Sequence, residues 1–290
     1  MTGVLLMAHG TPSTLDEMPE YLTRVRGGRP PSPELLAEMR HNYEAIGGRS
    51  PLTELTFAQG AALHARLGLH TPVAVGMRNW RPFVAEAVQQ LARSGVTRIV
   101  AVPLAPQFST LSVSKYYEAA EMAMPAGMEL VRVPTFHDHP LLLEAFAERV
   151  REARPEPDEE VIFTAHSLPR RVIAAGDPYG AEVAGTARAV AGRCRLNRYR
   201  RAFQSAGRTP EPWLGLDLSD VVRHRVSRGA RRFLVVPIGF VCDHTEILFD
   251  IDVQAAGVAI ALGARLRRTA SLNDSPTFTA LLESLVRDRL

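Results

Sequence analysis

VLLMAHGTP at residues 4–12 and VIFTAHSLP at residues 161–169 each run from an apolar stretch into a histidine and a proline-limited turn. A second pair follows in the same order: RIVAVPLAPQFST at 98–110 and RFLVVPIGFVCDH at 232–244. All four begin as unbroken apolar runs, the pattern of strands buried on both faces of a parallel sheet. Thr71–Met77 and Tyr199–Ser205 read as the second strand of each copy, and Leu130–Pro134 and Ala264–Thr269 as the fourth. Helical stretches separate them, among them Glu34–Ile46, Pro82–Ser94 and Ser275–Arg289. A repeat of this length points to a duplicated unit. The expected fold is α/β, with two doubly wound domains that each hold a four-stranded parallel sheet with flanking helices. The expected limits are 1–135 and 136–270, with residues 271–290 forming a C-terminal helix that packs back on the body.

Composition narrows the function classes. The chain has 290 residues, 46% hydrophobic and 22% charged, and a net charge of +3. Nearly all the positive charge is arginine, since Lys115 is the single lysine. The arginines concentrate at Arg193–Arg201 and Arg223–Arg232 with no aromatic-interleaved basic motif, so a solvated surface is expected and a nucleic-acid partner is not. Cys194 and Cys242 make no disulfide framework, zinc site or iron–sulfur motif, and they suit a reducing cytoplasm. The start, MTGVLLMAHG, has no basic leader and reads as a strand. No run reaches the ~18 apolar residues of a membrane span. Nor is there a dinucleotide fingerprint, Walker loop or nucleophile elbow.

Open α/β sheets bind ligands at the carboxyl ends of their strands. That rule lines up His9–Pro12, Gln107–Tyr117, His166–Pro169 and Asp243–Asp250. After Cys242-Asp243-His244 a helix is expected, N-capped by Asp243 or Thr245. Glu246 and Asp250 then face the same way, with Gln254 continuing the stripe. Such a row fits either a solvated face or a site that takes a cation. With His166 added, the set suits a divalent first-row metal or proton transfer near neutral pH. His9 holds the equivalent place in the first copy. His137 and His139 fall between the copies and read as a surface turn, and His244 reads as a turn residue. Arg24, Arg26 and Arg29, with Tyr43, Ser50 and Tyr116, could hold the carboxylates of a flat apolar ligand; singly, each fits a surface residue or a cap.

Seven stretches together resemble the ferrochelatase family: MAHGTP (7–12), YEAIGGRSPL (43–52), LAPQFSTLSVSKYY (104–117), FTAHSLP (163–169), GDPYG (176–180), FQSAGRTPEPWLG (203–215) and VPIGFVCDHTEILFDID (236–252). They cover nearly the whole chain in order. The resemblance implies two Rossmann-like, chelatase-type domains with a porphyrin cleft between them, and it is closest to the short soluble bacterial branch. That branch inserts Fe²⁺ into coproporphyrin III in haem biosynthesis. It implies no obligatory cofactor, Fe²⁺ as a substrate, no iron–sulfur cluster, and transient contact with the next enzyme of the haem pathway. His166 and Glu246 become the catalytic, iron-side residues, and Asp250 extends the metal-binding face. His9, Arg26, Asn42, Tyr43, Ser50 and Tyr116 become porphyrin-binding positions. The sequence departs from the family at His9, where tyrosine is usual, at Gly27 and Asn42, where arginine is common, and at Gln254, where a third acid is usual. These departures leave protoporphyrin IX as an alternative substrate. A cobalt or nickel chelatase on another tetrapyrrole and a non-catalytic haem carrier, argued from His9 as an axial ligand, are the other readings.

Overall fold

A computed structural model describes residues 1–207 and 209–290. Its elements run β1 (Thr2–Ala8), α1 (Met18–Val25), α2 (Pro33–Ala45), α3 (Leu52–Leu67), β2 (Val73–Met77), α4 (Val84–Arg93), β3 (Arg98–Pro103), α5 (Val113–Ala123) and β4 (Glu129–Arg132). Then follow α6 (Pro140–Ala153), β5 (Glu160–His166), α7 (Arg170–Ala174), α8 (Tyr179–Arg193), β6 (Arg200–Gln204), α9 (Leu218–Ser227) and β7 (Arg232–Val236). The chain ends in α10 (Thr245–Leu248), a π-helical segment (Asp250–Ala255), α11 (Ala256–Ala261), β8 (Arg265–Arg268) and α12 (Pro276–Arg287).

The two sheets have the same order, β2-β1-β3-β4 and β6-β5-β7-β8, and every ladder is parallel. The duplication seen in the sequence is thus a duplication of topology. β1 and β5, the strands that carry the matched histidines, are each central, and their side chains are buried almost throughout. The third strand of the second copy is shorter than its apolar run: β7 stops at Val236, just before Pro237. The residues beyond it turn across the end of β5. There Gly239 N donates to Thr164 O at 3.1 Å, and a Cβ on Gly239 would lie 2.7 Å from the Ala165 backbone. Only glycine fits that approach.

One hydrophobic core joins the two sheets. It contains Leu6, Val100 and Val102 from the first, Val161, Phe163 and Val236 from the second, and Phe146, Val183 and Phe278 from α6, α8 and α12. The C-terminal helix packs against both α6 and α3, and so touches elements of both copies. Separate cores fill the outer face of each sheet, and a small cluster of Met18, Tyr21, Leu22, Tyr43 and Trp80 fixes α1 and α2. Some of the basic surface is neutralised locally: Arg225 pairs with Glu160 and Arg267 with Glu159, each at 2.6 Å. Among the described residues, no helix is long and apolar enough to cross a membrane.

Candidate active site

The carboxyl end of β5 presents His166, and the stretch after β7 brings Glu246 to it. His166 Nδ1 lies 2.9 Å from Glu246 Oε2. A carboxylate can only accept, so Nδ1 donates, and in the neutral ring the lone pair sits on Nε2. Both side chains are about a third exposed, which leaves room for a third group. The backbone around them is fixed: Tyr179 OH donates to His166 O at 3.0 Å, and Gln204 Nε2 to Glu246 O at 2.5 Å. Burial opposes charge on His166, but the charge and hydrogen bond of Glu246, with Asp250 behind, outweigh it and raise the imidazole pKa. Burial likewise opposes Glu246, yet His166, His244 and His9 hold its carboxyl well below the usual range.

The helix that carries Glu246 begins differently from expectation. Its cap is His244, with no side-chain bond to the first turn. Asp243 is used elsewhere, accepting from Ser271 Oγ at 2.7 Å and Asn273 Nδ2 at 3.1 Å and pairing with Arg268 at 3.0 Å. Thr245 is buried as the first helical residue. The expected acidic stripe also breaks. From Asp250 the helix widens to π geometry, and Gln254 N reaches back five residues to Phe249 O at 2.8 Å. Gln254 therefore turns outward, exposed. Asp250 stays with Glu246 and accepts a hydrogen bond from Ser205 Oγ. Burial first, then the Glu246 charge, push its carboxyl up to about 7.

His9, one residue beyond β1, comes from the first sheet to the same cluster. Its charge interacts with Glu246, His244 and His166. Tyr21 OH lies 3.1 Å from His9 Nε2, and the Asn79 amide nitrogen lies 3.2 Å from each ring nitrogen. The residue keeps surface exposure, yet desolvation by the surrounding protein, with the Arg78 charge adding, lowers its pKa to about 4 despite the pull of Glu246. Gly10 makes the turn after it at a φ of +81°, where a Cβ would meet Met77 at 2.7 Å.

Tyr43 and Tyr116 are buried on α2 and α5 within the influence of Glu246, and burial pushes Tyr43 up to about 12. The bonds recorded for the other expected porphyrin contacts go elsewhere. Arg26 is exposed on the turn after α1 and donates only to Arg29 O, at 3.3 Å. Asn42 is half-buried beside Tyr43, and Ser50 accepts from Leu52 N at 3.3 Å at the start of α3. Arg24 is paired with Glu20 at 2.9 Å. The stretch with His137 and His139 is a turn, as expected, but both rings are half-buried: His137 faces Glu182 at 3.4 Å, and His139 caps α6.

Sequence reasoning missed four groups. His244 was read as a turn residue, but its Nε2 lies 3.9 Å from Glu246, and burial keeps its pKa low against that carboxylate. Tyr21, Asn79 and Arg78 went unread. Arg78 follows β2 as His9 follows β1, half-buried, and its NH1 donates to Leu111 O at 3.2 Å. Only the ends of the first and third strands had been lined up; extending that rule to the second would have found Arg78 and Asn79. Among the described residues no group of three or more His, Cys, Asp or Glu side chains could hold a metal ion. What the site presents is the His166–Glu246 pair, with His244 and Asp250 beside it.

A ferrochelatase family profile matches residues 1–290. A ferrochelatase of Deinococcus radiodurans is 41% identical over 98% of this chain and 94% of its own length. One of Herpetosiphon aurantiacus is 39% identical over 98% of each chain. A coproporphyrin III ferrochelatase of a Geobacillus species is 38% identical over 99% of this chain and 97% of its own. Among solved structures, the sirohydrochlorin chelatase SirB of Bacillus subtilis, in complex with cobalt, superposes with a TM-score of 0.57 at 12% identity, over 99% of this chain and 94% of that one. CbiX does so with a TM-score of 0.56 at 14% identity, over 99% of each. These two share the chelatase-type fold. With the whole chain matched by the family profile and by relatives of about 40% identity, the protein is a metal chelatase and belongs to the ferrochelatase family.

Proposed function

We propose that the protein inserts Fe²⁺ into coproporphyrin III, with Fe²⁺ as a substrate and no further cofactor. The observation that carries the proposal is the 2.9 Å contact of His166 with Glu246 on the second sheet; His9, at the matching strand end of the first sheet, would stand opposite them. A flat macrocycle between them would have a charged face and a neutral face. Insertion strips water from Fe²⁺ and releases the two pyrrole N–H protons as four Fe–N bonds form. The raised basicity of His166 suits it to take the first proton, and Glu246, held as a carboxylate, offsets the cation. Asp250, poised at about 7, can pass the second proton toward Ser205 and solvent. Arg78, Tyr43, Tyr116 and the α1–α2 turn with Arg26 form the porphyrin-binding wall in this reading. A relative named coproporphyrin III ferrochelatase at 38% identity supports the four-carboxylate substrate. Protoporphyrin IX is the second reading, favoured by Gly27 and Asn42, which provide no guanidinium for the extra propionates. Transient handover of product to the next enzyme of the pathway, in the cytoplasm, belongs to the same proposal.

The test is anaerobic metallation of the two porphyrins side by side, followed by absorbance. A higher kcat/KM for coproporphyrin III supports the proposal. A higher value for protoporphyrin IX replaces it with the second reading.

A further inference from the structure

Behind the cleft, one buried carboxylate joins the two copies. Asp177 lies in Gly176-Asp177-Pro178-Tyr179-Gly180, a stretch that the chemistry above leaves without a role. Its Oδ2 accepts the Thr110 N–H at 2.7 Å, the Thr110 hydroxyl at 2.8 Å and the Ser109 hydroxyl at 3.2 Å. Its Oδ1 accepts the N–H of Tyr179, the first residue of α8, at 3.0 Å. All four donors are neutral. A buried carboxylate without a cation persists only when its lone pairs are filled in this way.

These bonds end on the two halves that carry the candidate site residues. Thr110 stands three residues before α5, the helix that carries Tyr116. Tyr179, from the other side, donates its phenol to the carbonyl of His166. Two neighbours run parallel to this connection. Gln107 donates to Ile238 O at 3.1 Å, on the stretch leading to Glu246, and Glu182 accepts the Phe108 N–H at 2.6 Å. We infer that Asp177 is a positioning residue that sets the distance between the Tyr116 wall and the His166–Glu246 wall. The inference rests on the cleft being the porphyrin site.

Asp177→Asn tests it, because an amide either gives up acceptors or turns its NH₂ toward the Thr110 N–H. Thr110→Val removes one donor alone. Val222→Ala, behind the second sheet, serves as a control matched for loss of Tm. In Asp177→Asn, kcat for metallation is expected to fall at least tenfold while porphyrin Kd moves less than threefold. Thr110→Val should act in the same direction by a smaller factor, and the double variant should be no slower than Asp177→Asn. Amide exchange at 110–116 and 166–168 should quicken at least tenfold in Asp177→Asn and stay unchanged in Val222→Ala. Equal losses of kcat in Asp177→Asn and Val222→Ala would overturn the inference, as would unchanged exchange in Asp177→Asn. Wild-type protein that metallates neither porphyrin would sink the functional reading instead, and the exchange measurement then decides the positioning role by itself.

Discussion

The ends of β1 and β5 are the same place in a duplicated frame, yet their histidines live in opposite fields. His9 has neutral neighbours in Tyr21 and Asn79 and a nearby Arg78, and its pKa drops to about 4. His166 is bonded to Glu246 with Asp250 behind, and its pKa rises. A strand end supplies position, and the residues packed around it supply charge. In the proposed function, duplication gives an uncharged face and a proton-accepting face from one fold.

The strongest way to break this comparison is to delete each ring in turn. His166→Ala should lower kcat for metallation by about 10²–10⁴-fold, the usual worth of a positioned acid–base group, with porphyrin Kd little changed. His9→Ala should cost less than a tenth of that factor and should alter the absorbance of the bound metalloporphyrin. Equal losses from the two variants would erase the functional asymmetry.

Titration sharpens it. His166, with a folded pKa above 6.5, adds stability that is fully present below pH 6.5 and fades as pH rises through the folded value. His9 does the reverse: the folded state resists its protonation, so stability is lost as pH falls from 6.5 toward about 4. Tm scans should show His9→Ala gaining on wild type as the solution is acidified across that window. His166→Ala should instead lose ground as pH is lowered to 6.5. Parallel slopes would count against the opposite fields.

Asp250→Asn should have the smallest effect. The folded state resists ionising this carboxyl, so its favourable contribution holds below pH 3.8 and is lost as pH rises through about 7. The variant should raise Tm by a few degrees at pH 8 and hardly at all at pH 4. No gain at pH 8 would show that Asp250 is not strained by Glu246.

The fold was legible because buried parallel strands and their repeat are local patterns, and both sheets follow them. His166 with Glu246 was legible because strand ends point at ligands. What escaped needed long-range geometry. Glycine at 239 lets the chain pass close over Ala165, and this approach, not the helical spacing, carries Glu246 to His166. The π turn at Asp250 has no local signature either, and it undid the stripe through Gln254. Asp243 looked like a cap from its place before a helix, but Ser271, Asn273 and Arg268, nearly thirty residues on, claim its oxygens.

The core shared between the sheets makes this a single cooperative unit although the topology is double. Phe278 of α12 contributes to packing that also contains Leu6 of β1 and Phe163 of β5. Emptying that position with Phe278→Ala should cost about 3–5 kcal/mol. The loss should appear as one calorimetric transition moved bodily downward, since neither half keeps a complete interior once the other melts. Two resolved transitions would mean that the halves melt independently. A site assembled from both halves is thereby kept or lost as a whole, and no partly unfolded state retains half a cleft.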